Sequence, residues 1–283
     1  MKKFYFHTLL LAGLVLAACS SDDDDHQGQE EHQAFKTYYM TVDATKGADE
    51  GANYASTRAL ALTGSTLNAS WATSEHVYVQ GKKKSDELYF WFEGTIQPQY
   101  AGTTTRLNGT ISLPTGWSYS SIDEAIGNPH YVNLQFPRPY VLDYTGQIGT
   151  LADIAAKYDY ARAENVQVDI GADKVVGVSP VTFVSQQAIV KFTLKDYADG
   201  TTLLNPTKLN VQYGTESLSL TIPETTYTTN GNGVLYVAIP GFENKTVTLT
   251  AKVGSEKYTF IKSGVMFENG KYYEIAVKMK LKT

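Results

Sequence analysis

Along most of the chain apolar and polar residues alternate with a period of two, and Gly, Pro and Asn interrupt the alternation at short intervals. The clearest case is Tyr272–Leu281. Tyr273, Ile275, Val277, Met279 and Leu281 fall on one face, with Glu274, Lys278, Lys280 and Lys282 on the other. That is a half-buried strand with a lysine-rich outer face. Similar runs predict strands over 36–43, 58–62, 76–81, 88–96, 105–112, 132–134, 166–170, 181–195, 208–213, 216–222, 234–239, 246–253 and 256–261. Helical spacing is scarce. Leu151, Ile154, Ala155 and Tyr158 sit at i, i+3, i+4 and i+7 behind a capping Thr150. Ser121 and Glu124 have capping-box spacing, closed off by Gly127 and Pro129. Many short strands with so little helix predict an all-β fold of sandwich architecture. A change of pattern near Gly171-Ala172-Asp173 places a boundary between two tandem β-sandwich domains, 36–171 and 172–283.

The front of the chain breaks this pattern. Lys2 and Lys3 precede an apolar stretch from Phe4 to Leu16, and Leu16-Ala17-Ala18-Cys19 follows. The stretch is too short for a membrane span and reads as a signal peptide over 1–18. Its ending resembles the lipobox of bacterial lipoproteins, which implies cleavage before Cys19 and lipid attachment on its sulfur. The chain has 1 Cys in all, so no intrachain disulfide forms. Residues 19–35 include Ser20-Ser21-Asp22-Asp23-Asp24-Asp25 and read as a solvated, self-repelling tether. The acidic run also resembles the surface-export tag of Bacteroidetes lipoproteins, which implies an outer-membrane, outward-facing protein. The other reading is a plain spacer on a lipoprotein facing the periplasm.

Charge narrows the function classes. Formal net charge is −5 over 283 residues, but nine acids against three bases lie within 20–58. From residue 59 onward there are 19 bases and 20 acids. A near-neutral body lacks the clustered Lys and Arg that phosphate contacts need, so nucleic acid is excluded as a partner.

Catalytic chemistry is hard to find. Only His76 and His130 lie in the predicted body, and with no cysteine there they do not make a zinc set. No nucleophile elbow, phosphate loop or dinucleotide fingerprint occurs. Asp123 and Glu124 offer half of a glycosidase carboxylate pair at most. The sequence points to no enzyme, no cofactor and no metal. The run Tyr89-Phe90-Trp91-Phe92 puts Tyr89 and Trp91 on one face and Phe90 and Phe92 on the other. Tyr89, Trp91 and Trp117 are the candidate ligand contacts, as a stacking surface for sugar rings or a protein patch; the alternative is ordinary packing.

Five local patterns together resemble the fimbrillin-like proteins, the lipoprotein-derived type V pilins of Bacteroidetes. They are Thr37-Tyr38-Tyr39-Met40-Thr41-Val42 followed by Ser56-Thr57-Arg58-Ala59-Leu60; Trp71 leading into Glu75-His76-Val77-Tyr78-Val79; Ala156 to Ala163; Val181-Thr182-Phe183 with Gln187 to Phe192; and Phe267 to Ile275. Two departures are Ser74-Glu75, where the family often has Gly-Asp, and Gln187, where histidine is common. The resemblance implies transthyretin-like, Greek-key sandwiches and polymerisation by strand exchange. An Arg-specific surface protease would cut between Arg58 and Ala59, removing a first strand over 36–43. A neighbouring pilin subunit, identical or different, would fill the groove, and Tyr273, Ile275, Val277, Met279 and Leu281 would form the donor face.

The residues agree with that scheme on physical grounds. Arg58 follows a small, polar stretch, Gly47 to Asn53, suited to nicking. A removed strand exposes apolar positions and unpaired backbone, a template for β-augmentation. The other reading of Arg58 is an ordinary strand-edge arginine, and that of the terminal strand is pairing within its own domain. The expected function is a structural fimbrial subunit serving adhesion. The alternative is a non-polymerising surface lipoprotein that binds glycan or host protein.

Overall fold

A computed structural model describes residues 36–46, 59–63, 66–137 and 142–282. The described strands, in chain order, are β1 (Thr37–Lys46), β2 (Ala59–Thr63), β3 (Thr66–Ser70), β4 (Tyr78–Lys82), β5 (Tyr89–Trp91), β6 (Glu93–Pro98), β7 (Thr104–Ser112), β8 (Tyr131–Phe136) and β9 (Ala161–Ile170). They continue with β10 (Lys174–Gly177), β11 (Val181–Ser185), β12 (Ala188–Asp196), β13 (Lys208–Tyr213), β14 (Glu216–Thr221), β15 (Val234–Ile239), β16 (Phe242–Val253), β17 (Glu256–Phe267) and β18 (Tyr272–Leu281). Three short helices interrupt them: α1 (Ile122–Ala125), α2 (Leu151–Lys157) and α3 (Thr225–Asn230). The chain is all-β, built as sandwiches around two buried clusters.

Nine strands form the first sheet in the order β5-β4-β8-β9-β10-β1-β7-β6, with β11 pairing both β1 and β9. A bridge then closes the row. Val77, just ahead of β4, and Ile96 of β6 exchange backbone hydrogen bonds of 2.8 and 3.0 Å. The sheet thus wraps back on itself around a core that includes Tyr38, Met40, Val42, Trp71, Ile96, Leu107, Leu134, Val168 and Phe183. Closure explains why the alternation over 88–96 is two strands rather than one. The chain turns a corner at Phe92, so β5 pairs with β4 while β6 pairs with β7.

The second sheet has seven strands, ordered β14-β13-β16-β17-β18-β12-β15. β18 pairs with β12 in parallel from Tyr272 to Met279, but pairs with β17 only at Leu281 and Lys280. The row therefore folds at the β17–β18 corner into two layers. Val190, Phe192, Leu209, Leu249, Val277 and Met279 fill the space between them. The expected strand over 181–195 likewise splits, at Gln186-Gln187. β11 stays in the first sheet and β12 opens the second.

The described residues fall in one compact unit. Gly171-Ala172-Asp173 forms a tight turn in which the Gly171 N–H donates to the Lys174 carbonyl at 2.8 Å, joining β9 to β10 inside the first sheet. Both anticipated helix starts are present. Ser121 Oγ accepts from the Glu124 N–H at 3.2 Å, and Thr150 Oγ1 from the Asp153 N–H at 3.1 Å. α3, whose N-cap Glu224 makes no side-chain cap bond, has no such sequence signal.

Candidate functional site

β1 occupies an interior place in the first sheet. On one side it runs antiparallel to β7, with every residue from Thr37 to Thr45 in register with Ser112 to Thr104. On the other it runs parallel to β10 and β11, Met40 opposite Val175 and Thr45 opposite Thr182. Its Thr, Tyr, Met and Val residues suit a pleated, half-buried position. Tyr38, Met40, Val42, Ala44 and Lys46 all point inward, each 3% exposed or less. The mould is close-fitting: a Cβ built on Gly177 would lie 3.1 Å from a Val42 methyl. Burying Tyr38, Met40 and Val42 contributes about 1.5–3 kcal/mol each, as an upper estimate.

The fifth inward residue is a charge. Lys46 Nζ donates to Glu75 Oε1 at 3.1 Å and lies 2.9 Å from Asp159 Oδ2. The same nitrogen is 4.1 Å from the centroid of the Phe136 ring and 5.1 Å from that of Trp71. Glu75 is held in turn by the Ala72 N–H, which donates to Oε2 at 3.2 Å. Asp159 accepts from Gln187 Nε2 at 3.4 Å, and Gln187 Oε1 accepts from the Tyr160 N–H at 3.2 Å. Tyr144 donates to the Gln186 carbonyl at 2.9 Å. Burial, reinforced by Tyr160 and Tyr213, pushes its phenol well above the ordinary tyrosine value, so it stays a donor. The end of β1 is thus tied through charges and amides to Tyr144 and Tyr160, which belong to the second buried cluster.

On its outer face β1 has a second ionic tie. Arg106 of β7 donates to both Asp43 oxygens, at 2.7 and 3.2 Å. Hydrogen bonding and charge from Arg106 hold the Asp43 carboxyl below the usual aspartate range. Both side chains stand about half exposed, so the pair contributes little.

The residues singled out from sequence fall as follows. Cys19 and Arg58 lie outside the described residues. Ala59 opens β2 and pairs with Ser70. The face of Tyr273, Ile275, Val277, Met279 and Leu281 lies in its own sheet. Val277 and Met279 are buried, Tyr273 and Ile275 half-buried, and Leu281 is 47% exposed. Tyr89 is exposed and Trp91 half-buried, while Phe90 and Phe92 are buried on the opposite face. Trp117 packs on Phe90, ring centroids 4.5 Å apart, under the Lys83 ammonium at 4.4 Å. It therefore sits against the opposite side of β5 from Tyr89 and Trp91, and the three make no single stacking surface.

Asp123 Oδ1 lies 2.8 Å from His130 Nε2, and Glu124 accepts from Ser120 while its backbone takes the helix cap. Both carboxylates thus serve the local turn. Among the described residues no group of three His, Cys, Asp or Glu is placed to hold a metal, and no helix is long and apolar enough to cross a membrane.

Sequence reasoning missed Lys46, Glu75 and Asp159. The signal for Lys46 is its phase: it continues the inward series Tyr38, Met40, Val42, Ala44 beyond the expected strand end at Asp43.

No protein-family model matches the sequence, and no curated protein does. Among solved structures, the chain is similar to a putative cell adhesion protein from Bacteroides ovatus, with 15% identity and a TM-score of 0.42, covering 88% of this chain and 96% of the other. It is similar to a fimbrial assembly protein from Parabacteroides distasonis at 13% identity and TM-score 0.36, covering 85% and 90%. A third is the tip fimbrial protein from Porphyromonas gingivalis with a C-terminal truncation, at 10% identity and TM-score 0.34, covering 87% and 98%.

Proposed function

We propose that the chain is a non-catalytic structural subunit of a cell-surface fimbria that serves adhesion, carried to the outer membrane on a lipid at Cys19 and polymerised by exchange of its first strand. The observation that supports this reading is the place of β1. It is an interior strand of a nearly closed sheet, yet it comes first in the fold and is linked to the rest only through residues 47–58. A cut after Arg58 leaves the strand held by non-covalent contacts alone. Its departure sets β7 and β10–β11 facing each other across roughly 9–10 Å, twice the spacing of neighbouring strands. Both edges then present unpaired backbone above apolar sockets, which only another extended strand fills well.

In this reading an Arg-specific surface protease releases β1, and a strand of another pilin subunit takes its place. The inward face of β18 is the donor candidate this chain offers to a neighbour. Such a head-to-tail contact does not close on itself and gives a filament.

The test is digestion of the chain lacking its first 19 residues with an Arg-specific protease, read by intact mass and by unboiled gel. One cut after Arg58, loss of the β1 segment and a detergent-resistant ladder support the proposal. A chain that is uncut there, or cut and still monomeric with β1 bound, overturns it.

A further inference from the structure

The second sheet carries a row of like charges on its solvent face. Lys208 of β13 stands directly opposite Lys252 of β16, and Lys252 directly opposite Lys257 of β17. Lys282 extends the row past the end of β18, its N–H donating to the Lys257 carbonyl at 2.8 Å. All of these lysines are exposed, and among the described residues no carboxylate pairs with any of them. We propose that this face binds an acidic polysaccharide, one with a carboxylate or sulfate on successive rings, laid across the strands along the lysine row. The inference deepens the adhesive part of the function proposed above and does not depend on strand exchange.

Like charges directly opposite each other on paired strands work against the sheet. Protection of a free edge does not account for them. β14 is the edge strand of this sheet, and its outward residues Ser217, Ser219 and Thr221 are uncharged. The lysines of the row lie instead on β13, β16 and β17, which are paired on both sides. Net charge does not account for them either, since the chain from residue 59 onward is nearly neutral.

The floor beside the row is polar and free of acids. Asn210, Ser219, Thr250 and Thr259 occupy the next position along the same face, and Asn210 Nδ2 donates to Ser219 Oγ at 2.9 Å. Lys208, Asn210, Ser219, Thr250, Lys252 and Lys257 together line a shallow groove. Hydroxyl and amide groups there suit sugar hydroxyls, while the ammonium row suits the anions.

Spacing separates the polymers that carry negative charge. Neighbouring strands set the ammonium groups about 4.7–4.9 Å apart at their backbones. A chain of pyranose rings advances by close to one strand spacing per ring, so anions on successive rings fall within reach of successive lysines. An extended acidic peptide repeats its same-side residues at about 6.4–6.8 Å and runs out of step. Single-stranded nucleic acid is held largely by stacking on aromatic rings, and the outward positions of β13, β14, β16 and β17 hold none.

The experiment uses the uncut chain without its first 19 residues and fluorescent fragments of heparin and of polygalacturonate. Polyglutamate, oligothymidylate and vesicles of anionic lipid are the competitors. Saturable binding of at least one polysaccharide is expected, with none of the competitors displacing it at equal charge. The Lys208→Gln/Lys252→Gln/Lys257→Gln variant should bind about tenfold more weakly, with a Tm no lower than that of the parent. Lys84→Gln/Lys174→Gln/Lys271→Gln, which removes the same charge elsewhere, should bind as the parent does. If the first variant fails to fold, Lys252→Gln at the centre of the row should still weaken binding. No binding of either polysaccharide overturns the proposal, as does equal weakening by both triple variants. Displacement by polyglutamate, oligothymidylate or vesicles assigns the face to another polymer and overturns it too. None of these results bears on cleavage at Arg58 or on the ladder, so the two readings fail separately.

Discussion

Replacing Lys46 by methionine keeps most of the length of the side chain and removes its ammonium group. In the folded protein this takes away the buried ammonium that Glu75 and Asp159 hold at 3.1 and 2.9 Å. Removing one member of a buried ion cluster costs about 3–5 kcal/mol, because the remaining charge stays desolvated. Loss of the cation over Phe136 adds up to about 2 kcal/mol. Methionine recovers part of this through apolar contact with the same rings. The net expectation is a loss of about 3 kcal/mol, or a fall in Tm of roughly 6–12 °C for a chain of this size. Urea denaturation of the uncut chain measures it. Adding Glu75→Gln and Asp159→Asn to Lys46→Met should restore most of the loss, since three neutral groups of similar shape need no counter-charge. A single-variant loss below about 1 kcal/mol would refute the reasoning. So would a triple variant no more stable than the single one, because the cost would then be one of packing.

Two other predictions concern the hold on β1. Gly177→Val places methyl groups where Val42 already sits, so it should destabilise by about 1–3 kcal/mol and raise hydrogen exchange selectively in β1; unchanged exchange there would contradict the close fit. The Asp43–Arg106 pair lowers the folded-state pKa of Asp43. Its contribution is therefore complete above the unfolded aspartate value and is lost as pH falls through the lowered folded value. Release of β1 from the cut chain should accelerate through that acidic window, and Asp43→Asn should flatten the acceleration.

Much of this architecture is legible in the residues. β18 appears with its predicted limits because its alternation is long, unbroken and bounded by Gly270 and the lysine-rich end. The caps of α1 and α2 follow from Ser121 and Thr150, whose side chains offer acceptors to free N–H groups. The opposed faces of Tyr89-Phe90-Trp91-Phe92 follow from the pleat.

What escaped the sequence depends on partners far along the chain. Alternation survives the corner at Phe92 because period two records which side a residue faces, not which strand it pairs with. β10 is four residues long and is a strand only because β1 and β9 flank it. Lys46 lies beyond the expected strand end at Asp43, where a lysine is ordinarily solvated. It is buried because Glu75 and Asp159, 29 and 113 positions downstream, converge on it. The aromatic cluster misled in the opposite direction. Trp117 is a prominent residue whose ring covers Phe90.

Polymerisation through the β1 groove makes one demand that no other mode of assembly shares: β1 must leave. Thr41 and Asn108 are paired across β1 and β7 on the outer face. Antiparallel neighbours lie about 4.5–5.5 Å apart at Cα, within the range a disulfide spans. The Thr41→Cys/Asn108→Cys variant of the chain lacking Cys19 therefore carries a reducible lock on β1 and no competing thiol. After the cut at Arg58, the oxidised variant should stay monomeric, and reduction should release β1 and bring up the ladder. A ladder that forms equally well with the lock closed would contradict strand replacement at this groove.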